Sequence, residues 1–210
     1  MKLIYTDRSV CIMAINLPKE ERQSQIMDAA MKVITRKGFS NTRMDDIVNE
    51  AGISKGAIYH HYEGKKEIFL ALIGHWETQT FPDFYSRNGK ERSAADTLKD
   101  FASEVIKVFK SRSHVFQAEV EFWALANQDD EVRKRSQELY EKIITLFELV
   151  IIKGIREKEF IKVDTRITAI YILSVFQGIN WFCIFKDKKI NAEDYIQKSI
   201  KLILSGLKIS

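Results

Sequence analysis

The chain has 210 residues, 45% of them hydrophobic, enough to build the core of one large domain or two small ones. Two prolines and nine glycines suit long helices joined by short loops far better than a many-stranded sheet with a turn every ten or so residues, about the spacing such sheets need. A net charge of +4 permits nucleic-acid binding without demanding it.

The expected fold class is therefore all-α. The charge is unevenly placed: through Lys66 there are 11 Lys and Arg against 8 Asp and Glu, so +3 of the total lies in the first third. The remainder is nearly neutral, which suggests a different task. Cys11 and Cys183 lie far apart in unlike surroundings, with neither a zinc spacing nor a disulfide framework. No metal or cofactor is expected, and a reducing cytoplasm is the simple reading.

Residues 1–18 read as a leader outside the fold, with Met13 as an alternative start. From Lys19 to Lys37, Ile26, Ala29, Ala30, Val33 and Ile34 recur at the spacing that lays one apolar stripe along a helix, which Gly38 stops. Thr42, with Asp45 three residues on, reads as the cap of a short second helix carrying Met44, Ile47, Val48 and Ala51, and Gly52 closes it. Ser54 caps a third helix, Lys55 to Tyr62, of barely two turns. The join Ala51-Gly52-Ile53 makes the pair a helix-turn-helix, the glycine permitting the sharp turn and Ile53 packing between the helices.

From Lys65 the helices lengthen. Ile68, Phe69, Leu72, Ile73 and Trp76 continue one apolar face until Pro82, and a loop runs through Gly89. Ser93 with Asp96 opens a helix bearing Leu98, Phe101, Val105, Ile106 and Phe109, and another runs from His114 to Asn127. Asp129 and Asp130 start a long one to about Glu159, with Val132, Leu139, Ile143, Leu146, Phe147 and Val150 on its stripe. Thr165–Lys186 and Ala192–Leu207 complete six. Residues 19–66 thus form one unit and 67–210 a second. No charge occurs between Arg166 and Lys186, a stretch close to the roughly 20 residues that span a bilayer. Gln177, Gly178 and Asn180 lie inside it, where polar groups are costly in lipid, so it reads as a buried helix and no membrane partner is expected.

In a helix-turn-helix the second helix lies in the major groove, its first residues meeting base edges while neighbours grip phosphates. Ser54, Gly56 and Ala57 are small and let the helix N-terminus approach closely, where free amides favour a phosphate. Lys55 can reach a guanine edge or a phosphate, and Tyr59, His60 and His61 suit phosphate and sugar. Phe39, Thr42, Ile47, Ala51-Gly52-Ile53-Ser54-Lys55-Gly56, Ile58-Tyr59, His61-Tyr62, Lys65 and Ile68 resemble the DNA-binding signature of the TetR family of transcriptional regulators. The match runs from about Arg22 to Ile73, and departs where the family usually has phenylalanine in place of Tyr62. The resemblance implies that Thr42 and Arg43 contact the DNA backbone or groove edge. It implies that Lys55, Gly56 and Ala57 face bases, and that Tyr59, His60, His61 and Lys65 clamp phosphates. It further implies a homodimer paired through the last two helices on a near-palindromic operator, and a repressor released by a small-molecule effector.

The C-terminal part is rich in aromatic residues. Ligand pockets are mostly apolar with a few orienting polar groups, so Phe109, Phe116, Trp123, Tyr140, Phe147 and Trp181 with His75, Glu119 and Gln177 form the candidate effector pocket, and Asn180 lies in the same runs. Glu119, between Phe116 and Phe122, must find a partner or a cationic ligand, or else be an exposed or intersubunit ion pair. For pairing, Ile172, Phe176 and Ile184 face Ile196, Ile200, Ile203 and Leu204, either in a four-helix bundle shared between copies or in a purely internal core. His60 and His61 are adjacent and so project about 100° apart on a helix, no histidine pair has metal spacing, and Cys183 reads as a core thiol. An enzyme is not expected; the alternative is a helical small-molecule-binding protein or enzyme without a DNA-binding role.

Overall fold

Ten helices make up most of the residues that the computed structural model describes, 17–80, 92–185 and 189–209, and β pairing among them is limited to an isolated antiparallel bridge between Phe160 and Lys208. The fold is all-α. The expected leader, the stop at Pro82, the loop through Gly89 and Lys186 fall outside the described residues, apart from Leu17 and Pro18.

The first three helices are α1 (Lys19–Lys37), α2 (Met44–Ala51) and α3 (Lys55–Tyr59). Every residue of the expected α1 stripe is buried, joined by Met27 and Met31. Thr42 does not cap α2. Its hydroxyl donates to the Gly38 carbonyl at 2.8 Å and the residue is buried, so Arg43 takes the N-cap position. Half of a capping box forms there, the Asp46 carboxylate accepting from Arg43 N at 2.9 Å; the arginine side chain has no acceptor to complete it. Gly52 adopts φ +64°, the left-handed conformation that lets α2 stop and α3 start two residues later. Ser54 caps α3 as expected, its Oγ accepting from Ala57 N at 3.2 Å.

α4 (Lys65–Thr80) carries the core onward, with Ile68, Phe69, Leu72, Ile73 and Trp76 all buried. Phe69 packs 4.6 Å from Phe39 and 5.5 Å from Phe122 by ring centres, so one continuous core crosses position 66. Each fully buried side chain of this size contributes roughly 1.5–3 kcal/mol, which makes α4 a stiff connection between the two halves.

The rest is α5 (Ala94–Arg112), α6 (His114–Ala126), α7 (Asp130–Arg156), α8 (Thr165–Gln177), α9 (Ile179–Phe185) and α10 (Ala192–Leu207). Ser93 and Asp129 cap α5 and α7 with their side chains. α7 packs against α4, α5, α6 and α8, and α1 against α6. The single helix expected over 165–186 is two, broken at Gly178. A Cβ there would lie 2.2 Å from the Tyr195 hydroxyl, which donates to the Val175 carbonyl at 2.7 Å and wedges the two pieces apart.

Residues 165–185 are long and apolar enough to cross a bilayer, with a mean hydropathy of 1.6. They are buried on one face only. Ala169, Ile172, Leu173, Phe176, Ile179 and Cys183 enter the core, while Ile167, Ile170, Tyr171, Trp181, Ile184 and Phe185 are exposed. Of the residues expected to pair two copies, Ile172, Phe176, Ile196, Ile200, Ile203 and Leu204 are buried in the chain's own core and only Ile184 is exposed. The internal-core alternative holds for those six, because α10 packs on α5 and α8 packs along α7.

Candidate nucleic-acid interface and ligand cavity

Ile58 and Tyr62 anchor α3 from beneath, both buried, and the turn after α3 is held by His61 N and Tyr62 N, each 3.0 Å from the Ile58 carbonyl. The opposite face is open: Arg43, Ser54, Lys55, Gly56, Tyr59 and His60 are exposed, with Ala57 and His61 partly so. α1 fixes the scaffold behind it. Gln25 Nε2 donates to the Ala51 carbonyl at 2.8 Å, and Lys37 pairs with Asp46 at 2.6 Å, which together with the Arg43 amide holds the Asp46 carboxyl below the usual range. Lys55 rests on Asp45 at 2.8 Å, which raises its pKa. An exposed pair of that kind is weak, and a phosphate can displace it. Burial lowers the His61 pKa, with further lowering from His60, Lys19 and Arg22.

Two expected phosphate or backbone contacts sit elsewhere. Thr42 is buried, with its hydroxyl donated to Gly38. Lys65 spends all three ammonium donors on the carbonyls of Phe39, Ser40 and Thr42, at 3.1, 3.2 and 3.1 Å, and lies 4.6 Å over the Phe39 ring. It pins the loop that leads into α2.

In the second half, a small cavity of about 20 Å³ lies among Trp76, Phe101, Val105, Phe116, Ile143, Leu173 and Phe176, with Glu119 and Gln177 as its polar lining. Glu119 is 3% exposed. Its Oε1 accepts from the Tyr140 hydroxyl and Gln177 Nε2, both at 3.0 Å, and its Oε2 accepts from Asn180 Nδ2 at 2.9 Å. Burial pushes the carboxyl pKa up, and the three donors pull it part of the way back. Trp123 Nε1 donates to the Tyr140 hydroxyl at 2.6 Å, so Trp123 joins this network from a half-exposed position. Phe147 stacks behind the wall, 4.9 Å from Phe101 and 6.2 Å from Phe176.

Three other expected pocket residues lie apart from the cavity. His75 turns toward α1, its Nε2 3.3 Å from Asp28 Oδ1. Trp181 is exposed and packs 4.3 Å from Phe185. Phe109 lines a separate, apolar cleft of about 290 Å³ with Ile106, Ile179 and Ala192, bridged by the Lys110–Glu193 ion pair. Cys183 is buried and its pKa is pushed up to about 12 by burial and by Glu119, which makes it an inert thiol.

Residues 26–72 match the model of the tetR family of bacterial regulatory proteins. Over that segment the chain is similar to the DNA-binding region of the TetR family. An uncharacterised helix-turn-helix transcriptional regulator of Bacillus subtilis, YfiR, is 25% identical over 188 residues, covering 89% of this chain and 91% of that one. A transcriptional regulator from Saccharomonospora viridis, solved with choline, superposes with a TM-score of 0.80 at 17% identity over 91% of this chain and all of that one. FadR of Bacillus subtilis, solved with stearoyl-CoA, does so with a TM-score of 0.75 at 20% identity over 87% and 97%. The chain is a DNA-binding transcription regulator.

The cavity and the helix-turn-helix are in physical contact through α6 and α4. Glu121, two residues beyond Glu119, accepts from Phe39 N at 3.0 Å through its Oε2. Trp76, on the cavity wall, packs 6.3 Å from Phe122, which packs on Phe69 and so on Phe39. At the start of α4, Lys66 bridges Asp129 and Glu131, at 2.8 and 2.9 Å, and ties α4 to α7. Sequence reasoning missed the contact of Glu121 with Phe39 and the approach of Lys19 and Arg22 to His61, since each joins residues far apart in the chain.

Proposed function

We propose that the protein is a repressor that binds a near-palindromic operator as a homodimer and leaves it when a small molecule enters the Glu119 cavity. The observation that carries the DNA reading is the open face of α3: four exposed residues able to meet DNA, Lys55, Gly56, Tyr59 and His60, above a buried Ile58. Lys55, Gly56 and Ala57 meet base edges, while Arg43, Ser54, Tyr59, His60 and His61 take phosphates. Thr42 and Lys65 hold the loop behind them.

Pairing uses the apolar stripes that the chain's own core leaves uncovered. Ile167, Ile170 and Tyr171 lie at i, i+3, i+4 on α8, Trp181, Ile184 and Phe185 repeat that spacing on α9, and Leu202 on α10 is 70% exposed. A second copy covers them by two-fold symmetry. The two reading heads must then stand about one turn of DNA apart, roughly 34 Å, so a tilt of α4 costs operator affinity. Filling the cavity pushes on Trp76 and Glu119 and moves α4 and α6 together. The fold of the two solved neighbours holds ligands as unlike as choline and stearoyl-CoA, which supports a ligand-responsive second half. A DNA-bound regulator of this kind works in the cytoplasm.

The test is selection of bound fragments from the chain's own genomic DNA, followed by binding measurements on the selected site. Enrichment of one inverted repeat, bound by two chains and weakened by Lys55→Ala and Tyr59→Ala, is the expected result. Uniform recovery of all fragments would refute it.

A further inference from the structure

The polar lining of the cavity is Glu119 and Gln177. Three neutral donors reach the carboxylate, two of them on Oε1, so Oε2 keeps an open lone pair beside Asn180. The Oδ1 of Asn180, on the amide that touches Oε2, is buried and has no partner. Among the described residues no lysine, arginine or histidine pairs with Glu119. A buried carboxylate without a cationic partner and, on the neighbouring Asn180, a buried amide oxygen without a partner are costly until a donor reaches them, and a positively charged donor offsets the most. The lining includes four aromatic side chains, Trp76, Phe101, Phe116 and Phe176, whose electron-rich faces attract a cation.

We propose that this site takes a small organic ammonium that bears at least one N–H and an apolar or aromatic body, the N–H donating to the Glu119 carboxylate. The proposal rests on the reading of this cavity as the effector site and names the effector's chemistry. The present 20 Å³ admits about one water, so the ligand must open the site. Phe116 lines the cavity and Phe109, its ring centre 6.0 Å away, lines the 290 Å³ cleft, so this pair stands between the two spaces. Turning the two rings joins them and makes room for the body, in a volume on the order of 300 Å³, the lower end for small-ligand sites. A long acyl chain is a poorer occupant, because it would leave Glu119 facing hydrocarbon.

The test uses the full chain and primary amines from butylamine to phenethylamine, each beside the alcohol with the same body and the trimethylammonium analogue that keeps the charge and lacks N–H. Binding is read by calorimetry, and release of the selected operator fragment is read in parallel. We expect at least one amine to bind about tenfold or more tighter than both of its analogues, and Glu119→Gln to abolish that preference. Equal binding of amines and alcohols, no binding of any amine, or a preference that survives in folded Glu119→Gln overturns the proposal. The wild-type comparison needs no variant, so it decides the matter even where Glu119→Gln fails to fold. Amines that fail beside a long-chain acyl-CoA that releases the DNA refute the ammonium and leave effector release standing. Amines that bind tightly yet leave the operator complex intact refute effector release through this site and leave the ammonium site standing.

Discussion

The carboxylate of Glu121 accepts a hydrogen bond from the backbone N–H of Phe39, 3.0 Å away and 82 residues earlier, and so fastens α6 to the loop that opens the helix-turn-helix. Glu119, on the same helix, lines the cavity, so a displacement of α6 reaches both places. Glu121→Ala strands the Phe39 amide and should cost about 1–2 kcal/mol of stability in denaturant unfolding. It should also blunt ligand-driven release more than it weakens ligand-free operator binding. An unchanged unfolding midpoint together with a normal release curve would show that the tie contributes nothing.

Lys55 and Lys65 stand at the two ends of α3 and its turn, and should behave differently. Lys55 is exposed and only lightly engaged by Asp45, so Lys55→Ala should lower the slope of log affinity against log salt by about one. Lys65 donates to three carbonyls, so Lys65→Ala should lower stability by about 1.5–3 kcal/mol and leave that slope unchanged. Salt titrations of operator binding and thermal melts of both variants separate the roles, and a reduced slope for Lys65→Ala would restore it to the phosphate contacts.

A pH dependence follows from His61. In the free chain burial and neighbouring positive charge hold its pKa below the ordinary value, so its imidazole is neutral at neutral pH. A phosphate against the ring favours the charged form and raises the pKa in the complex. Binding then takes up a proton, and affinity should rise as pH falls through about 6.5 toward the lowered value. His61→Gln should flatten that rise, as measured by operator titrations at fixed salt. Identical pH profiles for the two proteins would remove His61 from the interface.

The exposed stripe of α8 predicts how the assembly responds to charge. Ile170→Glu, on the uncovered face, should convert a dimer to a monomer in sedimentation and weaken operator binding while the chain stays helical. Ile172→Glu, two residues on and fully buried, should unfold the chain instead. A folded dimer carrying Ile170→Glu would place the pairing surface elsewhere.

Much of the reading head was legible in the chain itself. The α1 stripe, the Ser54 cap and the left-handed Gly52 all came out as read, because each depends on residues within a turn or two of one another and on which φ angles a residue tolerates. The second half was legible as helices and as apolar faces, but α8 and α9 are apolar nearly all round. Periodicity cannot say which side of such a helix meets the core, and the choice of Ile172 over Ile170 was made by α7 lying alongside.

What only the tertiary structure decided is where long polar side chains end. A lysine at position 65 has several turns of chain within reach, and it is the folding back of the Phe39–Thr42 loop that brings three carbonyls to its ammonium. Glu119 meets donors 21, 58 and 61 residues away, brought in by three different helices. The sequence determined the helices and the DNA-reading turn through short-range geometry. The fate of each buried charge was decided by the assembly of the helices, since the partners that stabilise it exist only once the core has closed.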